Sequence, residues 1–181
     1  MQIREATIED FGELKSFYCR MNEVINRRTS DYNPDNAVFP SDNMIKDAID
    51  QGGQFIGVED GIIVIACIVK DCDDEAYSKV AWKVDANAEE VWILHALRVA
   101  PEYEGRGFAK QMLTYIIDLA PERGRKAIRL DVLEGYPVEG LYLRFGFQHI
   151  DTVEILYEDI GSPKRFRMFE KEISPVYENR K

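Results

Sequence analysis

The chain switches between two hydrophobic periods, and the switches mark its elements. Residues 2–7, QIREAT, alternate apolar and polar positions and predict a short strand. From Thr7 the period lengthens. Ile8, Phe11, Leu14, Tyr18, Met21 and Ile25 recur at three- and four-residue spacing, which predicts a helix to about Asn26. Thr7 and Asp10 spell a T-x-x-D box at its start. Residues 27–40 are rich in turn formers and read as a loop. Ser41 can cap a second helix carrying Met44, Ile45, Ala48 and Ile49, which Gly52-Gly53 ends. QFIGVE and IIVIACIVK then flank Asp60-Gly61, the two-residue turn most compatible with strand twist, and predict a hairpin.

The stretch 71–90 is acidic and irregular, a long connection near mid-chain. A strand is expected over 91–99, VWILHALRV, and a helix from about 107 to 120 with Ala109, Met112, Leu113, Ile116 and Ile117 on one face. KAIRLDVLE (126–134) reads as a further strand, and PVEGLYLRFG as a short helix ended by Gly146. FQHIDTVEILYE and KRFRMFEKEI form a last strand pair around the turn DIGSPK. No repeat, low-complexity tract or linker interrupts this order, so one α/β domain over residues 1–181 is expected, in the order β-α-α-β-β-β-α-β-α-β-β.

Composition narrows the function. Hydrophobic residues make up 45% and charged residues 31%, enough for a globular core. No run of about 18 apolar residues occurs, so no membrane partner is expected. The first residues, MQIREATIEDFGELK, carry acids and lack an apolar signal core, which points to a cytoplasmic protein. Three cysteines (Cys19, Cys67, Cys72) without C-x-x-C spacing suit neither a disulfide framework nor a zinc site, and only two histidines, His95 and His149, occur. With net charge −10 and no Lys/Arg cluster the chain has no basic face for nucleic acid. Its acidity permits a cationic partner.

Candidate chemistry concentrates at PEYEGRGFAK, residues 101–110, where Gly105 and Gly107 stand between a predicted strand and a predicted helix. A helix start exposes unpaired N–H groups at the positive end of its dipole. Glycines in the preceding turn let those donors converge on an anion, with phosphate or pyrophosphate the natural guest. Arg106 and Lys110 can assist. The dinucleotide fingerprint fails because position 110 is lysine where a third glycine belongs, and GxxxxGK[ST] occurs nowhere.

EGRGFA, Glu104 to Ala109, resembles the loop Gln/Arg-x-x-Gly-x-Gly/Ala of the GCN5-related N-acetyltransferase (GNAT) superfamily, with Glu104 in place of Gln or Arg. That family continues with a strand, N-x-x-A-x-x-L-Y, and Gly-Phe shortly after. Here LDVLEGYPVEGLYLRFGF matches at Leu141-Tyr142 and Gly146-Phe147, while Gly135 and Val138 replace Asn and Ala. LHALRVAPEY is similar to the family's fourth strand. The resemblance implies a GNAT-like α/β fold, a mixed and mostly antiparallel sheet with splayed central strands and helices on both faces. It also implies acetyl-CoA as co-substrate in a cleft between the fourth and fifth strands. Backbone of Leu97, Arg98 and Val99 would pair with the pantetheine arm. Amides of Glu104, Gly105, Arg106, Gly107, Phe108, Ala109 and Lys110 would cradle the pyrophosphate. Gly135 stands where the family has a cofactor-binding Asn.

The implied reaction is acetyl transfer to a primary amine of a small molecule, peptide or protein by direct attack in a ternary complex. A GNAT-fold acyl-CoA binding or sensing module with little transfer is the alternative. Amine acylation needs a base, an oxyanion donor and an acid for the departing thiolate. The resemblance gives the oxyanion to a strand amide near Val99 and the acid to Tyr142, a phenol of pKa about 10. His95 shares a strand face with Ile93, Leu97 and Val99 by period-two alternation, and is the candidate base, as in arylalkylamine acetyltransferases with similar LHAL wording. Glu90 and Glu89, just before that strand, compete with it; Glu134 and Glu170 are weaker candidates. Asp31, Tyr32, Phe39, Trp82 and Tyr157 can line the amine side, where acids and aromatics suit a cation. A homodimer is compatible with all of this.

Overall fold

The computed structural model describes residues 1–28, 38–72 and 75–174. Its strands are β1 (Gln2–Glu5), β2 (Gln54–Glu59), β3 (Ile62–Asp71), β4 (Val91–Val99), β5 (Ala127–Leu133), β6 (Gln148–Ile155) and β7 (Lys164–Glu172). Its helices are α1 (Phe11–Arg28), α2 (Asp42–Asp50), α3 (Glu75–Ser78), α4 (Phe108–Leu119) and α5 (Glu139–Arg144). The strands form one sheet in the order β1-β2-β3-β4-β5-β7-β6. β1/β2, β2/β3 and β5/β7 are antiparallel and β4/β5 parallel, giving the mixed, mostly antiparallel sheet expected. Among the described residues no helix is long and apolar enough to cross a membrane.

Backbone contacts divide the chain into two compact units. The first comprises Met1–Lys70, Leu94–Met112 and Ile155–Lys164; the second comprises Asp71–Ile93, Leu113–Glu154 and Arg165–Lys181.

In the first unit, α1 begins through a 3₁₀ turn, Ile8–Asp10. Asp10 accepts the Thr7 N–H at 2.7 Å, the cap anticipated from T-x-x-D. The Arg4 guanidinium grips the same carboxylate through two bonds of 2.7 Å and, with the Thr7 N–H, holds its pKa down at about 2. Leu14, Tyr18 and Met21 are buried as the helical period requires, but Ile8 is 62% exposed. The tighter 3₁₀ turn rotates Ile8 off the stripe that a uniform 3.6-residue period assigns it to. Ser41 Oγ accepts the Met44 N–H at 3.2 Å and caps α2. The β2–β3 hairpin turns at Asp60 and Gly61, both with positive φ (51° and 78°), as its primed turn demands. Leu14, Tyr18, Met21, Ile45, Ile56, Ile63, Ala66, Ala96 and Ala100 pack into one core.

In the second unit β5 carries its own ladder. Ala127 to Leu133 pairs with Glu172 to Phe166 in unbroken antiparallel register. Ile128, Leu130, Met168 and Phe169 on these strands, with Val91 and Ile93 at the start of β4, are fully buried or nearly so. The connection 71–90 is less irregular than its composition suggests, because it folds a turn of helix, α3, and an Asn87-capped 3₁₀ turn, Ala88–Glu90.

Candidate active site

β4 departs from plain alternation at one residue. Ala96 has φ +51°, a left-handed conformation rare for a residue with a side chain, and so marks a kink within the strand. Period-two alternation therefore does not run through from His95 to Leu97 and Val99, and the shared face expected for them rests on a regularity the strand lacks. The β4/β5 ladder covers Val91↔Ala127, Trp92↔Ile128 and Ile93↔Arg129, while β4 itself continues to Val99. His95 is half-buried, with its Nε2 sealed from solvent and its ring 6.3 Å from Phe39 in an edge contact. Arg98 folds back so that its Nη1 donates to the Leu97 carbonyl at 3.1 Å.

Beyond β4, the Ala100 N–H donates to the Val64 carbonyl at 2.9 Å and anchors the strand end. A 3₁₀ turn, Pro101–Tyr103, follows, with the Glu104 N–H closing on the Pro101 carbonyl at 3.2 Å. The next paired amide is that of Gln111, which donates to the Gly107 carbonyl at 3.0 Å and starts the α4 ladder. Among the described residues, the N–H groups of Gly105, Arg106, Gly107, Phe108, Ala109 and Lys110 have no protein acceptor. Gly105 and Gly107 adopt φ +75° and +80°, and a Cβ on either would meet nothing within 4 Å. The glycines thus serve the backbone turn, and the space beside them is open. Such a run of donors at a helix start suits a polyanion.

Side chains brace this loop from behind. Phe108 is buried and stacks on Tyr103 at 5.9 Å. The Arg106 guanidinium lies 5.0 Å from both ring centroids and 3.5 Å from Glu59, so its charge is engaged within the chain. Glu104 and Lys110 are exposed.

The other candidate residues separate into groups with open roles and groups with structural ones. Tyr142 is buried on α5, its ring edge-on to Phe147 at 5.7 Å. Gly135, in the turn after β5, has φ +90° with open space where a Cβ would stand, a backbone state that explains glycine there. Glu90 is a capping residue. It accepts the Asn87 N–H at 3.1 Å and pairs with Lys126 at 2.7 Å, and these contacts, Lys126 foremost, hold its carboxyl below the usual range. A base role for Glu90 would work against that shift. The Glu89 carbonyl accepts from Arg125, and Glu134 pairs with Arg165 at 3.3 Å. Glu170 is 3% exposed and accepts from Arg129 and from two backbone amides, which ties β7 to the 83–84 segment.

Of the residues expected beside the amine, Asp31 and Tyr32 lie outside the described residues. Phe39 packs on the first unit's core and on His95. Tyr157 opens the turn that its own carbonyl closes, through the Ile160 and Gly161 amides at 3.1 and 2.8 Å. Trp82, in the second unit, stacks on Tyr77 at 5.7 Å and lies under Arg129 at 4.4 Å, next to a cavity of about 460 Å³ also lined by Cys72. Its ring is held by packing.

Two polar residues escaped the sequence reading. Asp159, in the turn between β6 and β7, is only 8% exposed, and burial pushes its carboxyl up against the pull of nearby N–H groups and of Arg98. Tyr136, one residue past Gly135, has its hydroxyl sealed from solvent. Neither belongs to a motif, and only tertiary burial distinguishes them.

The model of the acetyltransferase (GNAT) family matches residues 21–147, which include β4, the glycine loop, α4 and α5. The chain belongs to the GNAT acetyltransferase family. Solved GNAT structures share its fold at low identity. A GNAT-family acetyltransferase from Streptococcus agalactiae is 21% identical, with TM-score 0.74 over 96% of this chain and 95% of its own. A ribosomal-protein-alanine N-acetyltransferase from Brucella melitensis is 17% identical, with TM-score 0.71 over 95% and 99%. An N-acetylglutamate synthase from Neisseria gonorrhoeae, solved with coenzyme A and N-acetyl-glutamate, is 15% identical; 96% of this chain matches 35% of it, with TM-score 0.62. No curated protein matches the chain.

Proposed function

We propose that this GNAT chain is an acetyl-CoA-dependent N-acetyltransferase, a single catalytic domain that acetylates a primary amine of a small molecule or a peptide. The observation that carries this reading is the row of N–H donors from Gly105 to Lys110, left without acceptors among the described residues at a turn made by two glycines at positive φ. Six donors and a helix start fit a diphosphate, and because backbone does the binding, Glu104 in place of Gln or Arg leaves the cradle intact. Leu97 to Val99 hold the pantetheine arm through strand backbone. The N-acetylglutamate synthase of similar fold was solved with coenzyme A, which supports the choice of co-substrate.

Acetyl-CoA supplies the activated acyl thioester. The chain contributes position and protons: one protein holding both reactants removes much of the entropic barrier. His95 takes a proton from the acceptor ammonium so that the free amine can attack the thioester carbonyl, the Val99 N–H steadies the oxyanion, and Tyr142 gives a proton to the sulfur as the C–S bond breaks. The ribosomal-protein-alanine acetyltransferase of similar fold makes a peptide amine one reasonable acceptor class.

Isothermal calorimetry with acetyl-CoA, run beside thiol release over a panel of amines, tests the reading. Binding together with thiol release on at least one amine is expected. Binding without release on any amine would instead favour an acyl-CoA sensing module, and no binding would remove the cofactor site altogether. His95→Gln should flatten the acidic limb of the kcat/KM profile. An unmoved limb assigns the proton to another group.

A further inference from the structure

The glycine loop carries one cationic side chain between its two glycines, and the fold gives that cation a partner of its own. The Arg106 side chain is 50% exposed, yet its guanidinium lies 5.0 Å from the ring centroids of both Tyr103 and Phe108 and 3.5 Å from a Glu59 oxygen. The rings are themselves fixed, since they stack on each other at 5.9 Å and Phe108 is buried. Glu59 ends β2, one residue before the turn at Asp60 and Gly61, and its side chain is 22% exposed. Its other oxygen meets the Met1 amino group at 2.5 Å. These two cations, the amino group foremost, hold the carboxyl below its ordinary range, so Glu59 stays charged at neutral pH. All of these residues belong to the first unit.

An arginine in a loop of amides without acceptors would ordinarily turn to a diphosphate, because a guanidinium forks onto phosphoryl oxygens. Here a carboxylate and two rings compete for it. We propose that Glu59 is a positioning residue of the cofactor loop, holding the Arg106 guanidinium against Tyr103 and Phe108 so that the loop meets a diphosphate with backbone donors alone. The inference rests on the acetyl-CoA reading above and deepens it. It names the carboxylate that limits the grip on the cofactor, and it gives Arg106 a bracing role in place of the phosphate contact its position in the sequence suggests. A product held by backbone dipoles alone leaves more readily than one also held by a mobile cation, and a further round of transfer has to wait for coenzyme A to leave.

The test is Glu59→Gln in the full chain, which keeps the shape of the side chain and removes its charge, with coenzyme A binding measured by calorimetry at low and at high salt. Released from its carboxylate, Arg106 should reach the diphosphate. The Kd for coenzyme A should then fall roughly fivefold at about 50 mM salt, and most of that gain should vanish at about 500 mM. Adding Arg106→Gln to Glu59→Gln should abolish the gain, because the gain depends on that guanidinium. Asp60→Asn, an equal change of charge on the exposed neighbouring residue, should not reproduce it. Weaker binding by Glu59→Gln would make the ion pair a plain structural brace, and an unchanged Kd would mean that Glu59 restrains nothing; either result overturns the inference. So does a gain that survives in the double variant or appears in Asp60→Asn, since charge alone then explains it. A wild-type protein that does not bind coenzyme A sinks the transferase reading and this inference together, whereas wild-type binding that Glu59→Gln fails to tighten sinks this inference alone.

Discussion

Tyr142→Phe is expected to lower kcat by roughly 100-fold, with the Kd for acetyl-CoA nearly unchanged and the melting temperature down by no more than a few degrees. The asymmetry follows from what Tyr142 does in the fold. Its ring meets Phe147 edge-on, and its carbonyl accepts the Phe145 and Phe147 amides at 2.9 and 3.2 Å, closing α5. Phenylalanine preserves all of these contacts and removes the hydroxyl. Loss of a general acid costs about 10²- to 10⁴-fold. The low end applies here because a thiolate, unlike an amide nitrogen, leaves without full protonation. Initial rates of thiol release at saturating acetyl-CoA measure the effect. Turnover within twofold of wild type would take Tyr142 out of the chemistry.

Elements governed by local chemistry were legible in the sequence, and those governed by distant partners were not. The strand at 91–99, the Asp60-Gly61 turn, the Ser41 cap and the helix after Gly107 follow from period, turn chemistry and capping, each within a few residues. The glycine loop could be read for the same reason: two glycines between a strand and a helix permit the positive-φ turn found there. Ala96 could not be read. Nothing in LHALRV marks its left-handed state, which tertiary packing imposes on a residue with no local preference for it. The roles of the glutamates were equally hidden. Glu90 and Glu170 look alike in sequence, yet one caps a 3₁₀ turn and pairs with Lys126, while the other meets Arg129, 41 residues away in sequence. A carboxylate's function depends on which donors the fold brings to it, and that information is long-range. Asp159 and the Tyr136 hydroxyl show the converse, since burial alone gives each its interest.

Glu170→Ala is expected to be strongly destabilising, costing about 3–5 kcal/mol. The Glu170 side chain is 3% exposed and that of Arg129 is 6% exposed. Glu170 takes Arg129 Nε on one oxygen at 3.1 Å and the Lys83 and Val84 amides on the other at 3.0 and 3.1 Å. Arg129 completes the arrangement by donating to the Val84 carbonyl at 3.1 Å and lying over Trp82. Alanine would leave a guanidinium and two amides buried without their acceptor, and it would free the 83–84 segment of the connection that leads into β4. The Glu134–Arg165 pair sets the contrast: at 43% and 63% exposure it contributes at most about 1 kcal/mol. Urea unfolding midpoints should therefore fall steeply for Glu170→Ala and barely for Glu134→Ala. A buried ion pair is costly to break yet not always favourable to have, so replacing both partners, as in Arg129→Met with Glu170→Leu, should recover much of the loss. A Glu170→Ala penalty below about 1 kcal/mol would mean that water reaches the pair and that its burial does not set its strength.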